Sequence, residues 1–253
     1  MAGLAWGATF KFWDASTWSM PEYALWSVVI LLGLELMSYL VNEIPQRFFN
    51  PSAIPIRGKH LDVLSWKDIS FITWNKFTTT LFTYHALRFC WLSPRIAWGW
   101  SEMTILNTVI AFFSLFVVYD FFYCIWHRIL HVRGLYKFIH KHHHHQAAPS
   151  RGNADAVNVH PIEFIVGEYC HLLAIFIIPC HAVVAAVFVV LGGILASLNH
   201  TRYDIAVPLL FDTKAHDQHH VIPTVNYGQY TMLWDRVFGT YVPHPLSSRP
   251  KAE

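Results

Sequence analysis

The sequence predicts an all-α integral membrane protein, with about four transmembrane helices and a cytosolic, histidine-rich helical cap. Three observations carry that expectation. The 253 residues are 54% hydrophobic and only 13% charged, whereas soluble domains average about 25% charged residues. The apolar residues gather in runs close to the roughly 20 residues needed to cross a bilayer. Seventeen histidines are present, and many of them cluster beyond the ends of those runs at helical spacings.

Residues 1–20 carry Trp6, Trp13 and Trp18 but neither a charged leader nor a small-residue cleavage site. They read as an interfacial segment, with tryptophans at headgroup level. Residues 22–41 are the first apolar run and qualify as a span despite Glu35. Pro45, Pro51 and Pro55 break residues 42–68 into a loop with at most short helices. Residues 69–92 form a second, weaker span interrupted by Asn75, Lys76, His85 and Arg88. Such groups face the protein interior when they lie inside a membrane. Pro94 ends that span. Residues 103–126 are the clearest span and run directly into the first histidine cluster. Residues 162–198, split by Pro179, suit a helical hairpin, and the chain turns soluble-like after Thr201.

Lys and Arg test the topology. With spans at 22–41, 69–92 and 103–126, a hairpin at 162–198 that returns to its starting side and a non-cytosolic N-terminus, fourteen of them fall on the cytosolic side and two, Lys11 and Arg95, on the other. This agrees with the positive-inside rule and puts every histidine cluster on one face. The sequon at Asn199 would then be cytosolic and unmodified. A net charge of +2 without a basic, aromatic-interleaved patch gives no ground for nucleic acid as a partner, and none is expected. Cys90, Cys124, Cys170 and Cys180 have no paired spacing and sit in apolar stretches, as buried free thiols do.

The clusters carry the chemistry. His127 and His131 are spaced i, i+4; His140, His143 and His144 follow HxxHH, and so do His216, His219 and His220. On a helix these offsets stack imidazoles on one face, and imidazole is the commonest neutral metal ligand. Eight converging imidazoles exceed the three or four that one zinc-type ion takes from protein, so two metals are implied. Ligand type leaves iron, zinc, copper and nickel open. No HExxH is present, which argues against a zincin protease. His142 and His145 are out of register and read as flanking residues. His200, in LNHTRYD at the end of the last apolar run, could return a further ligand, and His160 could be a ligand or an orienting group. Asp120 and Glu163 are acidic candidates for orienting the ligands. His60, His85, His171, His181 and His244 have no partner in sequence and read as structural.

Taken in order, HRILH at 127–131, HKHHH at 140–144 and HDQHH at 216–220 resemble the fatty acid hydroxylase superfamily, which includes sterol desaturases and sterol C4-methyl oxidases. LYKFIHKHHH, HPIE at 160–163, NHTRYD at 199–204, NYG at 226–228 and WDRVFGT at 234–240 add to the likeness. The resemblance covers roughly residues 105–242. It divides the chain into an N-terminal membrane region (1–104), a fatty acid hydroxylase-like di-metal domain (105–242) and a C-terminal tail (243–253). It implies two Fe ions, with Zn able to occupy the site in a purified sample. It also implies O2 as oxidant and electrons from NAD(P)H through a separate donor, cytochrome b5 with its reductase, since no HPGG haem motif is present. Localisation in the endoplasmic reticulum, with the histidines facing the cytosol, follows from the same likeness.

Fatty acyl 2-hydroxylases carry a longer first box and an extra histidine where this chain has Ala196. HxxxH with HPIE therefore leans toward a sterol or sterol-like lipid. A fatty acyl or sphingoid-base hydroxylase is the second reading. A non-enzymatic metal- or lipid-binding membrane protein is the third, and intact boxes weigh against it.

Overall fold

The computed structural model describes residues 14–49, 53–208 and 210–248. Trp6, Trp13, Pro51 and the end of the C-terminal tail lie outside them. The described chain is predominantly helical, with two pairs of two-residue strands.

Helix α1 (Met20–Ile44) begins where the Glu22 carboxylate takes the backbone N–H of Ser19 at 2.7 Å. The expected break at Pro45 does not occur. The helix runs on through a wider π turn at Pro45–Phe49. A proline ring crowds the preceding turn and removes one i→i−4 bond, and the widened turn absorbs both. Helix α2 (Trp66–Leu92) is capped by Ser65 and stops before Pro94. Of its polar residues, Asn75 faces inward, its fully buried side-chain amide donating to the carbonyls of Val157 and Val159 at 2.8 and 2.9 Å, whereas Arg88 is exposed. A π turn at Leu106–Ile110 leads into α3 (Ala111–Leu130). Then come α4 (Arg133–Phe138) and α5 (Asn153–Ala156). The expected hairpin is α6 (Pro161–Ile177) and α7 (Ala182–Asn199). Between these two helices Cys180 pairs in parallel with Ile96. Helices α8 (Thr213–Val221) and α9 (Leu233–Phe238) complete the cap.

Among the described residues, three segments are long and apolar enough to cross a membrane: Met20–Phe49, Leu106–Leu130 and Ala182–Asn199. On α1, Leu25, Leu32 and Leu36 are more than half exposed, as lipid-facing side chains are. This is an all-α integral membrane protein. Its interior is built from α3, α6 and α7, where Leu115, Phe116, Tyr119, Ala174, Ile175 and Phe188 pack with Tyr230. All four cysteines are buried free thiols.

The N-terminal region is tied to the cap by an irregular strap. Ile54 donates its N–H to the Arg202 carbonyl at 2.6 Å, and Arg57 reaches Asp217 and Gln218 at 3.1 and 2.9 Å. Further along, Ala147 donates to the Lys59 carbonyl at 2.9 Å.

Candidate metal centre

The histidine clusters are presented by three different local structures. His127 lies in the last turn of α3 and His131 is its C-cap, so the i, i+4 pair stays on one helical face. The second cluster departs from the α-helix its spacing predicts. Residues His140–His145 form a 3-10 helix, tighter at about three residues per turn. The third lies on α8, whose N-cap Asp212 accepts the N–H of Lys214 at 3.0 Å. Every residue from Thr213 to His220 is buried.

Nine imidazoles converge in two groups. His127, His131, His140, His144 and His219 form one; His143, His200, His216 and His220 form the other. Within each group the candidate ligand atoms lie within 4.8 Å of one another. Each HxxHH box is divided by a common rule: its first and third histidines enter one group and its middle histidine crosses to the other. Four imidazole Nε2 pairs carry the first two contacts of each group. His127 and His144 each lie 3.0 Å from His140, while His216 and His220 lie 3.1 Å apart, as do His216 and His200.

The tautomers decide what such contacts mean. A carbonyl oxygen can only accept, so the ring nitrogen facing it carries the proton. The Nδ1–H of His127 donates to the Tyr227 carbonyl at 2.8 Å, His219 to Val225 at 2.6 Å, His220 to Gln146 at 3.0 Å and His200 to Ala196 at 2.8 Å. His140 Nδ1 faces Glu163 Oε1 at 2.7 Å. The Nε2 atoms of these rings are therefore bare lone pairs. Two lone pairs 3.0 Å apart, as at His127 and His140, repel unless a proton or a cation stands between them. Across the neighbouring rings of the two groups a proton is disfavoured. Burial and neighbouring imidazoles hold His143, His144, His216, His219 and His220 well below the ordinary histidine value; burial lowers His200. His131 is brought down to about 3 by burial and by His140. Neutral imidazoles with converging lone pairs and buried surroundings are the donor set a metal cation requires. His131 Nε2 has no hydrogen-bond partner at all.

The two acidic candidates orient this set differently. Glu163 acts directly on His140. Asp120, fully buried in α3, accepts the backbone N–H groups of Gln229, Tyr230 and Thr231. It thereby fixes the loop whose Tyr227 carbonyl holds His127. Asp235 anchors the same loop from the other side, accepting from Tyr227 and Gly228 at 2.8 and 2.7 Å. Asn226 sits at φ 54°, in the left-handed region, and its side chain ties Ala215, on α8, to Val242. A Cβ on Gly228 would meet the Thr231 carbonyl at 2.7 Å. The NYG and WDRVFGT motifs are thus one clamp around the ligand-orienting carbonyl, a role that sequence spacing did not reveal.

His160 lies outside both groups. It is the N-cap of α6, its Nδ1 accepting the Ile162 N–H at 3.2 Å just before Pro161 starts the helix. His142 points instead to Asn158 and Asp68, and His145 to Lys59.

A cavity of about 450 Å³ opens beside the second group. His143 and His200 are part of its wall, while Ile30, Gly33 and Leu34 line it from α1. Its surface is mostly apolar, and none of the first group's histidines lines it among the described residues. His171, which read as merely structural, also faces this space and contacts the Tyr230 hydroxyl at 3.0 Å.

Residues 112–240 match the fatty acid hydroxylase family. This chain belongs to that family. The matched region holds all nine converging histidines, Asp120, Glu163 and the clamped loop. The family match and the two histidine groups together make the centre a metal-binding one. Among similar proteins, lathosterol oxidase of Rattus norvegicus is 33% identical over 159 residues, 60% of this chain and 50% of its own length. Methylsterol monooxygenase 1 of Gallus gallus is 30% identical over 57% of this chain and 51% of its own length. Delta(7)-sterol 5(6)-desaturase of Leptosphaeria maculans is 28% identical over 92% of this chain and 66% of its own length. The chain therefore spans about half the length of the first two. No solved structure gives a significant match.

Proposed function

We propose that this chain is a membrane di-iron oxygenase that uses O2 and two electrons to hydroxylate, demethylate or desaturate a sterol or sterol-like lipid. The observation that carries this reading is the contact between chemistry and lipid space: an apolar cavity within the helical bundle has His143 and His200 in its wall. The relatives' names point to the same substrate class. One iron would be held by His127, His131, His140, His144 and His219, and the other by His143, His200, His216 and His220. When bound, the pair supplies the O2-dependent C–H oxidation that amino-acid side chains cannot perform.

The chain's own residues do the rest. Carbonyls and Glu163 hold the imidazole tautomers so that Nε2 faces inward. Packing of the cap around α8 excludes water from the centre. The cavity aligns an apolar substrate beside the second group, leaving the opposite side of the cap for an electron donor. We assign that donor to cytochrome b5 with a reductase fed by NAD(P)H. The charge distribution supports a cytosolic cap, hydropathy supports about four spans, and the family likeness supports the endoplasmic reticulum membrane. Residues 105–242 would be the di-metal domain, residues 1–104 the membrane region that walls the cavity, and residues 243–253 a tail.

The test compares lipid extracts from membranes expressing the wild type, His143→Ala or His142→Ala, with reductase and cytochrome b5 supplied and iron measured in each purified protein. The expected result is a sterol product in the wild type and in His142→Ala, and none in His143→Ala. Normal turnover by His143→Ala would refute the metal assignment. A change confined to acyl or sphingoid lipids would keep the chemistry and replace the substrate.

A further inference from the structure

Glu168 is a carboxyl group set in an apolar cavity. It lies on the stripe of α6 formed by Phe164, Gly167, Glu168 and His171, all of which line that space. These positions recur at i, i+3, i+4 and i+7, so they share one helical face. One carboxyl oxygen meets the Thr79 hydroxyl; the other, Oε2, is shielded from solvent and has no hydrogen-bond partner. No ion pair involves Glu168 among the described residues. The cation nearest in kind, Lys76, also lines the cavity but is paired with Glu35. Glu168 does not contact the histidine groups: its α6 neighbour Glu163 does that, five residues and roughly 7.5 Å of helix axis away.

An ionisable group inside a membrane protein is expensive to bury and persists where it serves a site. Unsatisfied buried polar atoms call for a partner. An apolar ligand pocket typically uses a few placed polar atoms to fix orientation.

We infer that Glu168, with Thr79, binds the hydroxyl of a lipid alcohol and so sets which carbon of the substrate lies beside His143 and His200. The inference rests on the lipid-oxidising reading above and deepens it by naming the feature of the substrate that is recognised. The pair His171–Tyr230 borders the same stretch of wall. There the Nδ1–H of His171 faces the Glu168 carbonyl at 3.2 Å, so Nε2 accepts from the Tyr230 hydroxyl. That leaves the Tyr230 oxygen able to accept in turn, which gives the anchored hydroxyl a polar surround in place of bare hydrocarbon.

The experiment measures equilibrium binding of tritiated lathosterol and of its 3-methyl ether to the purified full chain in nanodiscs, for the wild type, Glu168→Gln, Glu168→Leu and Thr79→Val. Iron content and melting temperature are recorded for each. The wild type is expected to prefer the alcohol by roughly 3- to 10-fold, the range of one ordinary hydrogen bond. Glu168→Leu should erase the preference with iron unchanged, Glu168→Gln should restore part of it, and Thr79→Val should weaken it. Equal binding of alcohol and ether by the wild type overturns the anchor while leaving the sterol reading intact. So does a preference that survives in Glu168→Leu. Binding of neither sterol removes the sterol reading instead. The anchor is then judged in the same assay on octadecanol against its methyl ether, where loss of preference in Glu168→Leu supports it and no preference in the wild type overturns it.

Discussion

His140 Nδ1 and Glu163 Oε1 stand 2.7 Å apart, both side chains nearly inaccessible, with the imidazole on the 3-10 segment and the carboxylate on α6. This contact joins the cap to the membrane bundle and fixes the ring whose Nε2 lies 3.0 Å from both His127 and His144. Glu163 is therefore placed to control the first histidine group without belonging to it.

Replacing Glu163 with Ala should lower metal affinity at that group by roughly 10- to 100-fold, the usual effect of losing a ligand-orienting partner. Glu163→Gln, which keeps an acceptor oxygen, should lose less. Metal titration of the purified variants checks this. Equal affinity in Glu163→Ala and the wild type would show that His140 is oriented by packing alone.

Asp120→Ala should destabilise the fold and strip metal together. It leaves the amides of Gln229, Tyr230 and Thr231 without their acceptor, a loss of roughly 2–5 kcal/mol. It also frees the loop that carries the Tyr227 carbonyl. Asp120→Asn retains one oxygen and should fall between Ala and the wild type in melting temperature and in metal content. Loss of stability with full metal retention would uncouple the loop from His127.

The pH dependence follows from the neutral imidazoles. In the folded chain His143, His144, His200, His216, His219 and His220 are held below their ordinary value, and His131 is held at about 3. Unfolded histidines titrate near 6.5, roughly. Below that pH the unfolded chain binds more protons than the folded one, so stability falls as pH drops. It is full above about 6.5 and declines toward the folded values. Melting curves of chelator-treated protein should shift down between pH 7.5 and 5.0, while bound metal, which competes with those protons, should hold the curve up at neutral pH. A flat melting temperature without metal would contradict the buried neutral cluster.

Gly192→Ala tests the cavity without touching the metal centre. A Cβ there would lie 2.6 Å from His171 Nε2 and 2.8 Å from the Tyr230 hydroxyl. Alanine in a helix interior ordinarily gains about 1 kcal/mol over glycine. Here overpacking at the cavity wall should outweigh it by roughly 1–3 kcal/mol and displace the pair. Iron content should stay at the wild-type level while lathosterol binding weakens at least several-fold. Unchanged binding would place the substrate elsewhere in the bundle.

Much of the centre was legible because metal ligation demands a residue type at a spacing. HxxxH, HxxHH and HxxHH named eight of the nine converging histidines, and the position of His200 at the end of the last apolar run named the ninth. Register alone set aside His142 and His145, and both do point elsewhere. His160, read as a ligand or an orienting group, stands outside both groups and caps α6 through Nδ1, a position that its place in the sequence did not reveal. The reading also missed Pro45, since a proline's local preference yields to a helix that can widen. The clamp built from Asp120, Asp235 and Asn226 was half visible, as motifs without a function.

The sequence by itself determined the helical membrane character, the family and the set of imidazoles, because hydropathy and ligand spacing are local properties written along the chain. Only the tertiary structure decided how those imidazoles are shared. It sent His143 away from His140 and His144, and His219 away from His216 and His220, because the turn of each helix aims adjacent positions at different centres. It placed His143 and His200 on a cavity wall, and it set Glu168 and His171 on the same wall, although neither lies in a box. Tautomer, burial and cavity contact depend on which distant carbonyl or helix stands opposite a side chain, and that is fixed by packing between elements far apart in the sequence.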